Sequence, residues 1–140
     1  MSELNLKMHP IWNSLSELLA EIDCCEIARE HLKSCSQKIR GYWDSKNEFY
    51  EEVALVNFPV VELASRCIGI DRVEEQFIRW IKLKFLLKVD GNNELGIDDE
   101  IGELTLILDS NWKVVDENWS VDLESPFVVA TKQQEKAIAK

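Results

Sequence analysis

The chain has 140 residues, about one domain's worth of polypeptide. It is 46% hydrophobic and 30% charged, which excludes wholesale disorder. Its formal net charge of −10 disfavours direct binding to nucleic acid or to an anionic membrane surface. No stretch approaches the ~20 apolar residues of a membrane span, and the first residues lack a signal-peptide core. The expectation is therefore a cytoplasmic protein.

In chain order, the first elements read as helices. Ile11, Leu15, Leu18 and Ile22 recur at helical spacing, and Pro10 suits the first helical position. A second helix is predicted from Glu26 to about Arg40 along Ala28, Leu32, Cys35 and Ile39, with Gly41 as its stop. Ser45-Lys46-Asn47-Glu48 has the spacing of a capping box for a helix carrying Phe49, Val53 and Val56. Pro59 interrupts it, and a short helix is predicted over Val60, Leu63, Ala64 and Cys67, ending at Gly69. Asp71-Arg72-Val73-Glu74 would cap another turn or two.

The period then changes. Ile81, Leu83, Phe85, Leu87 and Val89 alternate with Lys82, Lys84, Leu86 and Lys88, the pattern of a half-buried strand. Between Phe77 and Trp80 the pattern fits either helix or strand. A turn at Asp90-Gly91-Asn92-Asn93 precedes a strand over Leu104–Leu108 and a turn at Asp109-Ser110-Asn111. A short strand at Lys113-Val114-Val115, a turn at Asp116-Glu117-Asn118, a strand through Trp119, Val121 and Leu123, and an edge strand at Phe127–Ala130 follow. Connections this short imply antiparallel pairing. The predicted class is α+β, with N-terminal helices packed on a C-terminal antiparallel β-meander. Residues 1–130 form one domain, and 131–140 read as a fraying tail.

The charge is unevenly spread. Residues 90–124 carry 11 acids against a single base, Lys113, while residues 1–89 are nearly balanced. Two tryptophans, Trp112 and Trp119, lie in that segment, and aromatics are enriched at interaction hot spots. Trp119 has the apolar parity of its strand and reads as core; Trp112 abuts a turn and is the better candidate for exposure. The expected partner-binding set is Asp98, Asp99, Glu100, Glu103, Asp109, Trp112, Asp116 and Glu117. Tyr42-Trp43-Asp44 forms a further aromatic–acid cluster.

Metal and catalytic signals are weak. Cys24, Cys25, Cys35 and Cys67 are expected to be reduced thiols, with Cys35 and Cys67 on apolar helical stripes. His31 and Cys35 stand four apart, but no C-x-x-C pair accompanies them. Residues 90–101 track a calcium loop only superficially, with Leu95 at the place of the turn glycine and Ile101 at that of the bidentate carboxylate. No phosphate loop, nucleophile elbow or zincin helix occurs, so no cofactor and no catalytic residue is assigned. The leading expectation is a small acidic binding protein, of the immunity or antitoxin type, masking a basic site on a toxin or a nucleic-acid-binding protein. A secretion or assembly chaperone, and a ligand binder or enzyme with a helix–sheet pocket, are the alternatives. A homodimer is compatible with each.

Overall fold

The computed structural model describes residues 6–90 and 98–132. A 3-10 turn, Leu6–Met8, leads into helices α1 (Ile11–Ala20) and α2 (Cys24–Ser34). Seven strands follow: β1 (Lys38–Trp43), β2 (Phe49–Leu55), β3 (Val60–Val73), β4 (Gln76–Asp90), β5 (Asp98–Leu108), β6 (Val114–Val121) and β7 (Val128–Thr131). They form two antiparallel sheets, β1-β2-β7 and β3-β4-β5-β6. The fold is mixed α+β, and the four-stranded sheet is a meander.

α1 begins one residue after Pro10. α2 is capped by Asp23, whose side chain accepts the Glu26 N–H, and it stops six residues earlier than the apolar stripe predicts. Its end is a Schellman closure: the Gln37 N–H bonds the Leu32 carbonyl and the Ser36 N–H the Lys33 carbonyl. Ser36 takes the left-handed conformation, φ 55°, that glycine usually supplies. Gly41 instead lies inside β1, at φ 73°.

Three further predicted helices or helical turns are strands or hairpin turns. The Ser45–Glu48 motif is the β1–β2 hairpin loop, and the segment after it is β2. Val60–Cys67 belongs to β3, which runs through Gly69 to Val73. Asp71–Glu74 leads into a two-residue hairpin connection, with Val73 opposite Gln76 and Glu74 at φ 58°, the positive φ that such turns need at their first central residue. Phe77–Val89 is strand throughout. The expected turn at Asp116-Glu117-Asn118 is the middle of β6. The turn residues 91–93, the calcium-loop residues 91–97 and the tail 133–140 lie outside the described residues.

One face of the four-stranded sheet is core. Leu83, Phe85 and Leu87 of β4 and Leu104, Leu106 and Leu108 of β5 are fully buried, in one cluster with Ala28 and Leu32 of α2 and Val53 and Leu55 of β2. Both α2 and the three-stranded sheet therefore contribute to the cover of this face, where the sequence pattern predicted helices alone. The Tyr42 hydroxyl ties the sheets together by accepting the Val121 N–H at 3.0 Å. All four cysteines are free thiols. Cys24 is buried, which pushes its thiol pKa up, whereas Cys67 is exposed on a strand rather than placed on a helical stripe.

Candidate protein-binding surface

The β1–β2 and β5–β6 hairpin loops share one construction. In Asp44–Glu48, the Asp44 carboxylate accepts the Lys46 and Glu48 N–H groups at 2.9 and 2.8 Å, and Asn47 sits at φ 62°. In Asp109–Lys113, the Asp109 carboxylate accepts the Asn111 and Lys113 N–H groups at 2.8 and 3.0 Å, and Trp112 sits at φ 65°. An aspartate that satisfies the loop's own donors stabilises such a turn. The shared Asp-Ser start, at 44–45 and 109–110, is the signal that identifies both as loops.

The expected site residues are dispersed by this topology. Asp98, Asp99 and Glu100 open β5, opposite Asp90, Val89 and Lys88. Asp109 and Trp112 lie past the other end of that strand, roughly 33 Å away at ~3.3 Å per residue. Glu103 pairs with Lys84 at 3.3 Å. Asp116 and Glu117 are neighbours on a strand and point to opposite faces: Asp116 accepts the Glu117 N–H, and the Glu117 side chain meets His31 of α2. Trp112 is partly buried against the core, so the better-exposed tryptophans are Trp43 and Trp12.

What the structure does bring together is a different set of carboxylates. The Asp122 N–H donates to the Ile101 carbonyl at 2.8 Å, which sets the loop after β6 beside the start of β5, with its exposed Asp99 and Glu100. The same loop, through Asp122 and Glu124, forms one wall of a cleft of about 400 Å³ whose other wall is the Asp44–Glu48 hairpin with Tyr50. Acids from three separated stretches of chain therefore meet at one end of the four-stranded sheet. Among the described residues, no lysine or arginine pairs with Asp99, Glu100, Asp122 or Glu124.

The hairpin side of the cleft is a connected polar network. The single Tyr50 hydroxyl donor is shared between Glu48 at 3.2 Å and Asp44 at 3.4 Å, and Lys132 reaches Glu48 at 3.1 Å while lying over the Tyr50 ring. The Glu48 and Lys46 N–H groups and the Tyr50 hydroxyl hold the Asp44 carboxyl below its ordinary range. Lys132 and Tyr50 do the same for Glu48, and Glu48 in turn raises the Lys132 pKa. Partial burial and the neighbouring Glu48 raise the Tyr50 pKa, so the phenol stays neutral and a donor.

At the root of the hairpin, on the face of β1–β2 opposite to Tyr42 and Tyr50, Trp43 lies against Phe49 with ring centroids 5.0 Å apart. Trp43 is nonetheless 62% exposed. The two face each other as cross-strand partners, an arrangement that fixes both rings without burying them. Tyr42-Trp43-Asp44 stands out in the sequence; Glu48, Asp122 and Glu124 do not, because only the pairing of distant segments gathers them.

No group of three or more histidine, cysteine, aspartate or glutamate side chains is arranged to hold a metal among the described residues. No described helix is long and apolar enough to cross a membrane. No protein family, curated protein or solved structure matches the chain.

Proposed function

We propose that this chain is a small acidic protein-binding module that uses the carboxylate-rich end of its four-stranded sheet to mask a basic site on another protein, as an immunity- or antitoxin-type inhibitor does. The observation that carries this reading is that Asp44, Glu48, Asp122 and Glu124 line one cleft, with the start of β5 and its Asp99 and Glu100 tied beside it by the Asp122–Ile101 bond and the exposed Trp43–Phe49 pair at the root of the same hairpin. Acidic charge in excess over Lys46 and Lys132 at this end accelerates encounter with a basic surface. A rigid exposed aromatic then supplies the apolar anchor that holds the complex. The Asp44 carboxylate that caps the hairpin loop and the Glu48 carboxylate beside it, both held below their ordinary pKa range, stay ionised at neutral pH.

The test is capture from extract of the native cell at low salt, using three baits: the parent, Trp43→Ala, and a variant with Asp99, Glu100, Asp122 and Glu124 changed to lysine. A basic protein retained by the parent, lost from the lysine variant and released earlier by salt from Trp43→Ala supports the proposal. Partners that are not basic, or that bind all three folded baits alike, refute it.

A further inference from the structure

The end of β4 away from the carboxylates carries a second surface, of the opposite charge. β5 accompanies β4 only as far as the Ile81–Leu108 pair. Beyond it, Gly69–Val73 and Gln76–Trp80 continue as a two-stranded ribbon, a form that is marginal in water unless another layer covers it. On one face, register places Arg66 opposite Leu83, Ile68 opposite Ile81, Ile70 opposite Arg79 and Arg72 opposite Phe77. Leu83 and Ile81 belong to the core, so this is the core's own face carried past its edge. There Ile70 is 61% and Phe77 69% exposed, and Arg66, Arg72 and Arg79 are exposed beside them. Ile68 and Arg66 also border a groove of about 440 Å³ whose other wall is Trp12, Leu15 and Leu19 of α1.

The chain supplies these arginines with no counterion. Among the described residues no carboxylate pairs with Arg66, Arg72 or Arg79, although there are 26 acids against 16 bases. Strand alternation is the reason: Asp71 points to the other face, and Glu74 and Glu75 form the turn at the ribbon's tip. There the Arg72 Nε–H donates to the Glu74 backbone carbonyl at 3.2 Å rather than to a carboxylate. Arg72 and Arg79 are diagonal neighbours across the two strands, a spacing of ~7–8 Å that carboxylates of one short segment can bridge.

We propose that this face docks a short acidic segment of another protein. The segment lays aliphatic or aromatic side chains on Ile70, Phe77 and the α1 groove, and sets carboxylates against Arg66, Arg72 and Arg79. Charge complementarity selects this occupant, since the planar guanidinium pairs bidentately with a carboxylate. From Arg66 to Arg72 the face runs ~20 Å at ~3.3 Å per residue, the length of about 13 residues of helix at ~1.5 Å each. The carboxylate-rich end lies ~33 Å away along β4, several times the Debye length of ~8 Å at physiological salt. A short segment is therefore screened from it. A bilayer or a polynucleotide extends further, past the Glu74-Glu75 tip and along a chain of net charge −10, which disfavours both. The segment's charge is opposite to that of the partner proposed for the carboxylate-rich end, so the two surfaces can be tested separately.

The experiment selects a library of random peptides, about 15 residues long to cover the face, on the immobilised full chain at physiological salt. Fluorescence anisotropy then measures the enriched peptides against the parent and its variants, with far-UV circular dichroism confirming that each variant is folded. An enriched class combining aspartate and glutamate with apolar residues is expected. Its members should bind the Arg72→Glu, Arg79→Glu variant about tenfold or more weakly, the effect of losing arginine hot spots. Phe77→Ser should weaken them in the same direction, and so should changing the peptides' own carboxylates to amides. A selection that yields no acidic class overturns the proposal, as does an acidic class that binds the arginine and Phe77 variants as tightly as the parent. An oligouridine RNA or a phosphatidylserine-rich vesicle that binds the parent through the same arginines, more tightly than every enriched peptide, also overturns it and reassigns the face to nucleic acid or membrane.

Discussion

Gly69 of β3 and Trp80 of β4 are cross-strand partners, and the indole lies where any side chain at 69 would go. A Cβ added there would stand 1.8, 2.1 and 2.4 Å from Cζ2, Cε2 and Cη2 of Trp80, so Gly69→Ala must expel the ring. Glycine inside a strand ordinarily weakens it, and an aromatic laid across from it compensates. If the displaced ring loses half of the ~150–250 Å² that an aromatic covers, the loss at ~25 cal/mol per Å² is ~2–3 kcal/mol. Removing a glycine from the unfolded chain returns ~0.4–1 kcal/mol, leaving a net destabilisation of ~1–2.5 kcal/mol. At ~2–4 °C per kcal/mol for a chain near this size, the melting temperature should fall by roughly 3–8 °C. Urea unfolding of the parent, Gly69→Ala, Trp80→Ala and the double variant provides the assay. In the Trp80→Ala background all three nearest clashing atoms are gone, so the alanine should be neutral or stabilising. If the four stabilities are additive within ~0.5 kcal/mol, the ring does not cover Gly69 and the reasoning fails.

Three further outcomes follow from the same geometry. The stabilisation due to ionised Asp44 and Glu48, whose folded pKa values lie below the ordinary 3.8 and 4.5, should be fully present above those ordinary values and lost as pH falls through the lowered ones. Thermal melts below pH 5 should therefore show a steeper acid loss for the parent than for a Glu48→Gln, Asp44→Asn variant. Trp112→Ala should cost about 1–3 kcal/mol in chemical unfolding, because the ring packs on the core; Asn47→Gly, at the matching loop position with φ 62°, should be neutral to slightly stabilising, and equal effects at the two sites would contradict the assignment. Thiol titration should modify exposed Cys67 first and reach Cys24, buried with its pKa raised, only on unfolding, with the same melting temperature in the presence and absence of reductant.

The sequence by itself determined what local periodicity controls. α1, α2 from Glu26 to Ser34, and the Ile81–Val89 part of β4 were legible from their apolar spacing: in β4, Leu83, Phe85 and Leu87 are buried and alternate with Lys82, Lys84, Leu86 and Lys88. β3 was not, and its bulge is the reason. The register shift between Leu63 and Ser65 makes the core-side residues Val61, Leu63, Arg66 and Ile68, a two-three-two spacing that imitates a helix. The α2 terminus was hidden by a serine in the conformation usually left to glycine, and Gly41 drew the boundary too late. β6 read as two short pieces because Glu117 stands opposite buried Leu106, where its exposed side chain meets His31, far away in the chain. The acidic bias of residues 90–124 was visible as composition, but a strand holds its two ends ~30 Å apart. Tertiary pairing alone decided which carboxylates share a surface, since it is the docking of the β1–β2 hairpin and the loop after β6 that brings Asp44, Glu48, Asp122 and Glu124 to the walls of one cleft.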